Sequence, residues 1–202
     1  DLWDFSLRFI TPTVRRYLPE PGSGLALELG CGSGRWLRSA STFFGQVKGI
    51  DSPEIIDALL RVAGRPDNVD LLVRKSDRLP VDSDSIDFVF SMTGLTQFET
   101  LARFGKEISE VQRVLKPGGL AMLWFGRITR MPFVVNPATW LRGYSYRADD
   151  KIALRVRQTV VRRSLRKAGL RHVALSTPLH PDTSWRLFRG GDLSYVTAVK
   201  SS

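Results

Sequence analysis

The chain has 202 residues, 43% of them hydrophobic, and a formal net charge of +10, enough for one sizeable core and, at this length, a single expected domain. Its longest purely apolar run, Leu120 to Phe125, is far short of the roughly 18 residues that would suggest a membrane-spanning helix, and no secretory signal is visible. The lone cysteine, Cys31, excludes an intrachain disulfide and suits a reducing cytoplasm, and its separation from His172 and His180 gives no zinc-ligand spacing, so no metal is expected.

Taken in chain order, Leu2, Phe5, Phe9, Thr13 and Tyr17 fall at three- and four-residue spacings and predict a helix over Leu2 to Leu18, ended by Pro19-Glu20-Pro21-Gly22. Leu25 to Leu29 reads as an apolar strand running into glycines. Ser33 is a candidate cap for a helix to about Phe43, followed by a strand over Gln46 to Ile50 that ends at Asp51. Ile55, Ile56, Leu59 and Leu60 mark a helix stopped near Gly64 and Pro66. Val69 to Val73 and Ile86 to Ser91 are the third and fourth strands. Phe104, Ile108, Val111 and Leu115 mark a helical face closed by Pro117-Gly118-Gly119, and Leu120 to Phe125 is the fifth strand.

Beyond Phe125 the pattern changes. Residues 127–149 read as an insertion on the acceptor side, Lys151 to Ala168 as a long basic helix capped by Gly169, and Val173 to Ser176 and Leu193 to Val199 as two strands forming an antiparallel hairpin at the sheet edge. The alternation of strand and helix argues for a doubly wound α/β fold: a seven-stranded, mostly parallel sheet with one antiparallel strand and helices on both faces. The expected division of a single domain 1–202 is an N-terminal helix over 1–20, a ligand-binding core over 24–126, the insertion, and a closing part over 150–202.

The charge is not evenly spread. Residues 1–126 carry 15 Lys/Arg against 16 Asp/Glu, whereas residues 127–171 carry 12 against 2. A run of like charge is commonly a solvated helix face. It also suits a surface that meets a phosphate, an acidic glycan, RNA or an anionic membrane.

In an open α/β sheet, ligands bind outside the carboxyl ends of the strands, beside the turn after the first strand. Glu28-Leu-Gly-Cys-Gly-Ser-Gly34 stands at that turn, where glycines let a ligand approach the backbone closely. Either a dinucleotide or S-adenosylmethionine fits such a turn. The dinucleotide fingerprint G-x-G-x-x-G would need glycine at Arg35, and the glycines here follow G-x-G-x-G, which counts against NAD. Asp51, at the end of the next strand, stands where a carboxylate accepts hydrogen bonds from ribose hydroxyls.

These residues resemble the class I S-adenosylmethionine-dependent methyltransferases, and within them the small-molecule branch that includes the ubiquinone/menaquinone methyltransferases. The resemblance spans residues 24 to 126. Leu27 to Gly34 is similar to motif I, Gly49-Ile-Asp51 to the ribose-binding acid, Ser76-Asp-Arg-Leu-Pro80 to the adenine loop, Ser85 to Ser91 to motif II, and Glu110 to Gly119 to the helix and turn before strand five. It implies S-adenosylmethionine as cofactor and S-adenosylhomocysteine as product. Gly30, Cys31, Gly32 and Gly34 would meet the methionine part, with Glu28 acting through water or on the ammonium. Asp51 and Ser52 would stand at the ribose, Asp77, Arg78 and Leu79 at the adenine, and Ser91 close to the methyl group. Asp87 would brace the loop rather than touch ligand.

Methyl transfer from a sulfonium is an in-line displacement in which alignment supplies much of the acceleration. A hydroxyl acceptor must also lose a proton. Many members of the branch carry paired histidines after motif II, where this chain has Leu95-Thr96-Gln97-Phe98. His180 is therefore the candidate catalytic base, behind it Glu99, Asp149 and Asp182, although a lone loop histidine is more often simply exposed. Trp140, Tyr144, Tyr146 and Trp185 are candidates for an acceptor pocket or for a small core of the insertion. Arg127, Arg130, Arg142 and Arg147 are candidates to clamp an acidic group. The expected activity is O-methylation of a small-molecule or sugar-containing acceptor with an acidic group. Two alternatives are an RNA or tRNA methyltransferase and a non-catalytic partner protein that binds the cofactor.

Overall fold

The computed structural model describes residues 12–62, 64–92, 94–128, 142–146, 153–176 and 193–201. In chain order the elements are α1 (Pro12–Arg15), β1 (Ser23–Leu29), α2 (Arg35–Ala40), β2 (Phe44–Asp51), α3 (Pro53–Leu60), β3 (Val69–Val73), β4 (Ile86–Ser91), a 3-10 turn (Gly94–Gln97), α4 (Leu101–Val114), β5 (Leu115–Arg127), β6 (Tyr144–Tyr146), β7 (Leu154–Val156), α5 (Gln158–Lys167), β8 (Leu170–Ser176) and β9 (Leu193–Lys200).

The main path of the sheet is β3-β2-β1-β4-β5, all parallel, continued by β9 and then β8. β9 runs antiparallel to both of its neighbours, pairing Leu120 with Val199 on one side and Leu170 with Lys200 on the other. This path is the expected seven-stranded, mostly parallel sheet with one antiparallel strand. Strand order reverses between β1 and β4, which opens a crevice at the carboxyl ends of β1 and β2. The short β6–β7 hairpin adds to the same end, β7 pairing in parallel with Gly126 and Arg127 of β5.

Alternation along the strands feeds two cores, one on each face. Leu27, Leu29, Val89, Ala121 and Leu123 meet Phe104, Ile108 and Val111 of α4 and Val161 and Leu165 of α5. Ala26, Phe88, Phe90, Leu120 and Met122 face Val14, Leu37 and Ile56 from the three earlier helices. On that second face Phe44, Phe88 and Phe90 form a stacked row with ring centroids 5.5 Å apart at each step.

Several element bounds differ from the sequence reading. α2 ends at Ala40 rather than near Phe43, and Gly34 in the left-handed region takes the N-cap position in place of Ser33. β5 begins at Leu115, so that Pro117-Gly118-Gly119 forms a bulge inside the strand instead of closing a helix. Pro117 has no N–H to donate, and Gly118 has φ +78°, which is how a strand absorbs this sequence. The single basic helix over 151–168 is corrected to β7 and a shorter α5. Leu154 and Val156 are buried, Arg155 between them is more open, and that alternation pairs with Tyr144–Tyr146. The closing hairpin is antiparallel as expected, but β9 lies inside the sheet between β5 and β8. Of the opening helix, only the part from Pro12 lies within the described residues.

Candidate active site

The crevice at the β1/β4 reversal is a cleft of about 290 Å³, near the lower end of the roughly 300–1,000 Å³ usual for small-molecule sites. Its walls are Leu29, Gly30 and Gly32 after β1, Ile50, Asp51 and Ser52 at the end of β2, Ile55 of α3, Arg74 after β3, Gly94, Gln97 and Phe98 after β4, and Glu107 of α4.

The glycine turn is held from below by the Ile50 carbonyl, which accepts from the Gly30 N–H at 2.9 Å. Gly30 (φ +69°) lies so close to the 3-10 turn that a Cβ on it would stand 2.8 Å from the Gly94 Cα. Gly94 is equally confined, since its own Cβ would meet the Leu29 carbonyl oxygen at 2.7 Å. Gly32 differs. Its φ is +49° and a Cβ there would have nothing within 4 Å, so the backbone faces open space.

The Asp51 carboxylate is oriented over this turn. Its Oδ2 accepts from the Gly32 N–H at 2.8 Å and its Oδ1 from the Ser52 N–H at 2.8 Å. Each oxygen keeps a lone pair for a further donor. Beneath the turn, Glu28 is 1% exposed, and its Oε2 has no hydrogen-bond partner. Burial, reinforced by the Asp51 charge, raises its pKa well above the ordinary carboxylate range, opposed by a hydrogen bond from the Leu37 backbone. The Cys31 thiol is pushed up by burial first and then by Glu28 and Asp51, so it stays protonated at neutral pH.

Arg74 and Glu107 form the far wall, and neither was singled out from the sequence. The guanidinium and carboxylate meet through two 2.8 Å bonds, Nη1 to Oε1 and Nη2 to Oε2. Arg74 also donates from Nε to the Ser76 carbonyl at 2.9 Å and from Nη2 to the Asp77 carbonyl at 2.7 Å. The segment after β3 is thereby fastened to α4. The only signal for it was an acid at position 107, three residues past Phe104 on an otherwise apolar helical face.

Among the eleven residues expected at the cofactor, the structure brings Gly30, Gly32, Asp51 and Ser52 together on the cleft wall, with Glu28 and Cys31 directly behind it and Gly34 facing Leu59 of α3. Asp77, Arg78, Leu79 and Ser91 stand elsewhere. The half-exposed Asp77 carboxylate turns to α4, 3.0 Å from Lys106 Nζ and 3.8 Å from Arg103, with its pKa lowered first by the Lys106 hydrogen bond. Arg78 and Leu79 border a separate, more open depression with Val73, Lys75 and Pro80. Leu79 is buried, and its N–H donates to Glu110. Ser91 is fully buried, and its hydroxyl donates to the Leu29 carbonyl at 2.8 Å, which braces β4 against β1. Asp87 accepts from the Leu25 N–H and from Lys116 Nζ, which ties β4 to β1 and β5.

His180, Asp149, Asp182, Trp140, Trp185, Arg130 and Arg147 lie outside the described residues. Of the remaining acceptor-side candidates, Tyr144 packs half-buried against the first core, Tyr146 is 41% exposed, and Arg142 and Glu99 are exposed. No helix among the described residues is long and apolar enough to cross a membrane.

The residues present fit a sulfonium nucleoside. A buried carboxyl group with one oxygen lacking a partner stands behind the turn, and a bare stretch of backbone at Gly32 meets the Asp51 carboxylate at the cleft. Comparison with known proteins agrees. Residues 27–123 match the family model described as methyltransferase domain. The human protein named probable tRNA methyltransferase 9B is 32% identical over 115 residues, covering 56% of this chain and 24% of that protein. The malonyl-[acyl-carrier protein] O-methyltransferase of Methylococcus capsulatus is 34% identical over 119 residues, 57% of this chain and 42% of that one. The chain thus spans less than half the length of these relatives. A crystal structure of a SAM-dependent methyltransferase from Methanosarcina mazei superposes with a TM-score of 0.70 over 95% of this chain and 98% of its own, at 24% identity, a likeness of fold.

Proposed function

We propose that this protein, whose residues 27–123 match the family model described as methyltransferase domain, transfers a methyl group from S-adenosylmethionine to an oxygen of a small-molecule or sugar-containing acceptor bearing an acidic group. The observation that carries the reading is the open space over Gly32 beside the oriented Asp51 carboxylate. One relative is by its name a malonyl-[acyl-carrier protein] O-methyltransferase, and an acidic acceptor of that kind matches the arginines of the insertion.

When bound, S-adenosylmethionine supplies a methyl group on a sulfonium, open to in-line displacement. Asp51 accepts from the ribose hydroxyls with the lone pairs its backbone bonds leave over. Glu28, with one carboxyl oxygen left without a partner behind the turn, would accept from the ammonium end of the bound cofactor. Gly30 and Gly94, packed backbone to backbone, keep the floor free of side chains. Glycine at position 32 leaves room for the methionine chain. His180 is the candidate base in this proposal, and a reducing cytoplasmic setting is part of it, supported by the free thiol of Cys31.

Asp51→Ala and Gly32→Val are each expected to weaken cofactor binding at least tenfold, about 1.4 kcal/mol or more. Isothermal titration with S-adenosylhomocysteine measures this, and unchanged affinity in both variants would sink the placement of the site.

A further inference from the structure

The cleft leaves one conspicuous feature of the chain unused. No acidic residue occurs between Asp150 and Asp182, and the positive charge of that stretch gathers on α5. Val161 and Leu165 are 0% exposed and committed to the core. Arg162, Arg163, Arg166 and Lys167 are exposed, with Arg171 exposed just past the helix. Positions 162, 163, 166 and 167 are one and four residues apart, so they share the outward side of a helix about 15 Å long. Several cations elsewhere have acidic partners: Lys106 and Arg103 meet Asp77, Lys200 meets Asp84, and Arg15 meets Glu20. Among the described residues no carboxylate pairs with any of the five cations on and after α5.

We propose that this outward face of α5 is a docking surface for the phosphodiester backbone of a nucleic acid. The proposal goes beyond methyl transfer and holds whatever molecule accepts the methyl group. Three kinds of partner carry enough negative charge to be attracted. A membrane surface would be gripped by apolar side chains beneath the charges, but those of α5 are spent on the core. A protein interface would need an aromatic or aliphatic centre, and among the described residues the exposed large hydrophobics are Ile55, Leu60, Val62 and Tyr146, none of them on α5. What remains is a row of cations, Arg162, Arg163, Arg166 and Lys167, with no acidic partner among the described residues, and its guanidiniums suit bidentate contacts to successive phosphates. With no aromatic residue on α5 itself, its surface reads charge and shape rather than base sequence.

The test is fluorescence anisotropy with the whole chain, using a labelled RNA hairpin and a DNA duplex of equal length between 50 and 200 mM salt. Wild-type affinity is expected to fall steeply with salt. The triple substitution Arg162→Gln, Arg163→Gln and Arg166→Gln should weaken binding at least tenfold at 50 mM salt and flatten the slope of log affinity against log salt by about 3, roughly one per lost phosphate contact. Thermal melting of the variant verifies that it is folded. The equally large charge change Arg38→Gln, Arg61→Gln and Arg65→Gln, on exposed residues of another surface, should leave both values near wild type. Tighter binding of the hairpin identifies RNA as the partner, and equal binding identifies the phosphodiester chain as such. The proposal is overturned if the two triple variants behave alike, or if the wild type ignores both nucleic acids while binding phosphatidylserine vesicles or polyglutamate. Either result leaves the cofactor titrations above untouched.

Discussion

Glu28 is a carboxylate held in a place that disfavours its charge, and its neighbour Asp51 adds to the difficulty. Because its folded pKa is raised, the folded state prefers the proton; stability is fully present below the ordinary carboxylate pKa and is lost as pH rises through the folded value. Glu28→Gln, an isostere that is always neutral, should melt at the same temperature as wild type near pH 4 and progressively higher as pH rises, by about 2–4 °C per kcal/mol recovered. The same substitution should weaken binding of the cationic cofactor. Melting curves across the pH range, paired with titration calorimetry, separate the two effects. An equal melting temperature at every pH would show that Glu28 carries no burial penalty. At this scale the sequence spacing singled out Gly32 and Asp51, which the fold brings together on the cleft wall. That Asp77 turns to Lys106 and Ser91 to the Leu29 carbonyl depends on partners distant in the chain, which no local pattern names.

Between elements, the Arg74–Glu107 pair joins the end of β3 to α4 across a separation of 33 residues. Glu107 is 3% exposed, so removing the cation leaves a buried charge with nothing to balance it. Arg74→Met is expected to cost about 3 kcal/mol, measurable by urea denaturation, and to weaken cofactor binding by freeing the segment that carries Ser76 and Asp77. A loss below about 0.5 kcal/mol would mean that water replaces the guanidinium. No local pattern could reveal this pair, since each half is an ordinary charged residue until the fold brings them together. Element bounds followed a similar logic. β3 and β4 emerged with the limits read from their apolar runs, while three residues of alternation at Leu154-Arg155-Val156 were absorbed into a helical reading by their basic surroundings.

At the scale of the whole molecule, β1, β4 and β5 are each paired with a strand on both sides, whereas β6 and β7 are three-residue strands and β6 pairs only with β7 among the described residues. Amides of β1, β4 and β5 should be the slowest to exchange with solvent, and those of β6 and β7 should exchange orders of magnitude faster. Hydrogen exchange followed by mass spectrometry measures the ranking, and comparable rates in β4 and β7 would contradict it. The order of the parallel strands follows from alternating strand and helix with right-handed crossovers. The seat of β9 was beyond reach of pattern, because an apolar strand of eight residues looks alike at an edge or in the interior.

That seat has a consequence for biosynthesis. β9 follows both of its neighbours in chain order yet sits between them, so a ribosome releases β5 and β8 before the piece that joins them. Throughout that interval both flanks display unpaired amides and carbonyls to every other nascent chain nearby. Translation stalled before residue 193 would leave a half-closed sheet, a substrate for chaperones rather than a smaller version of the same protein.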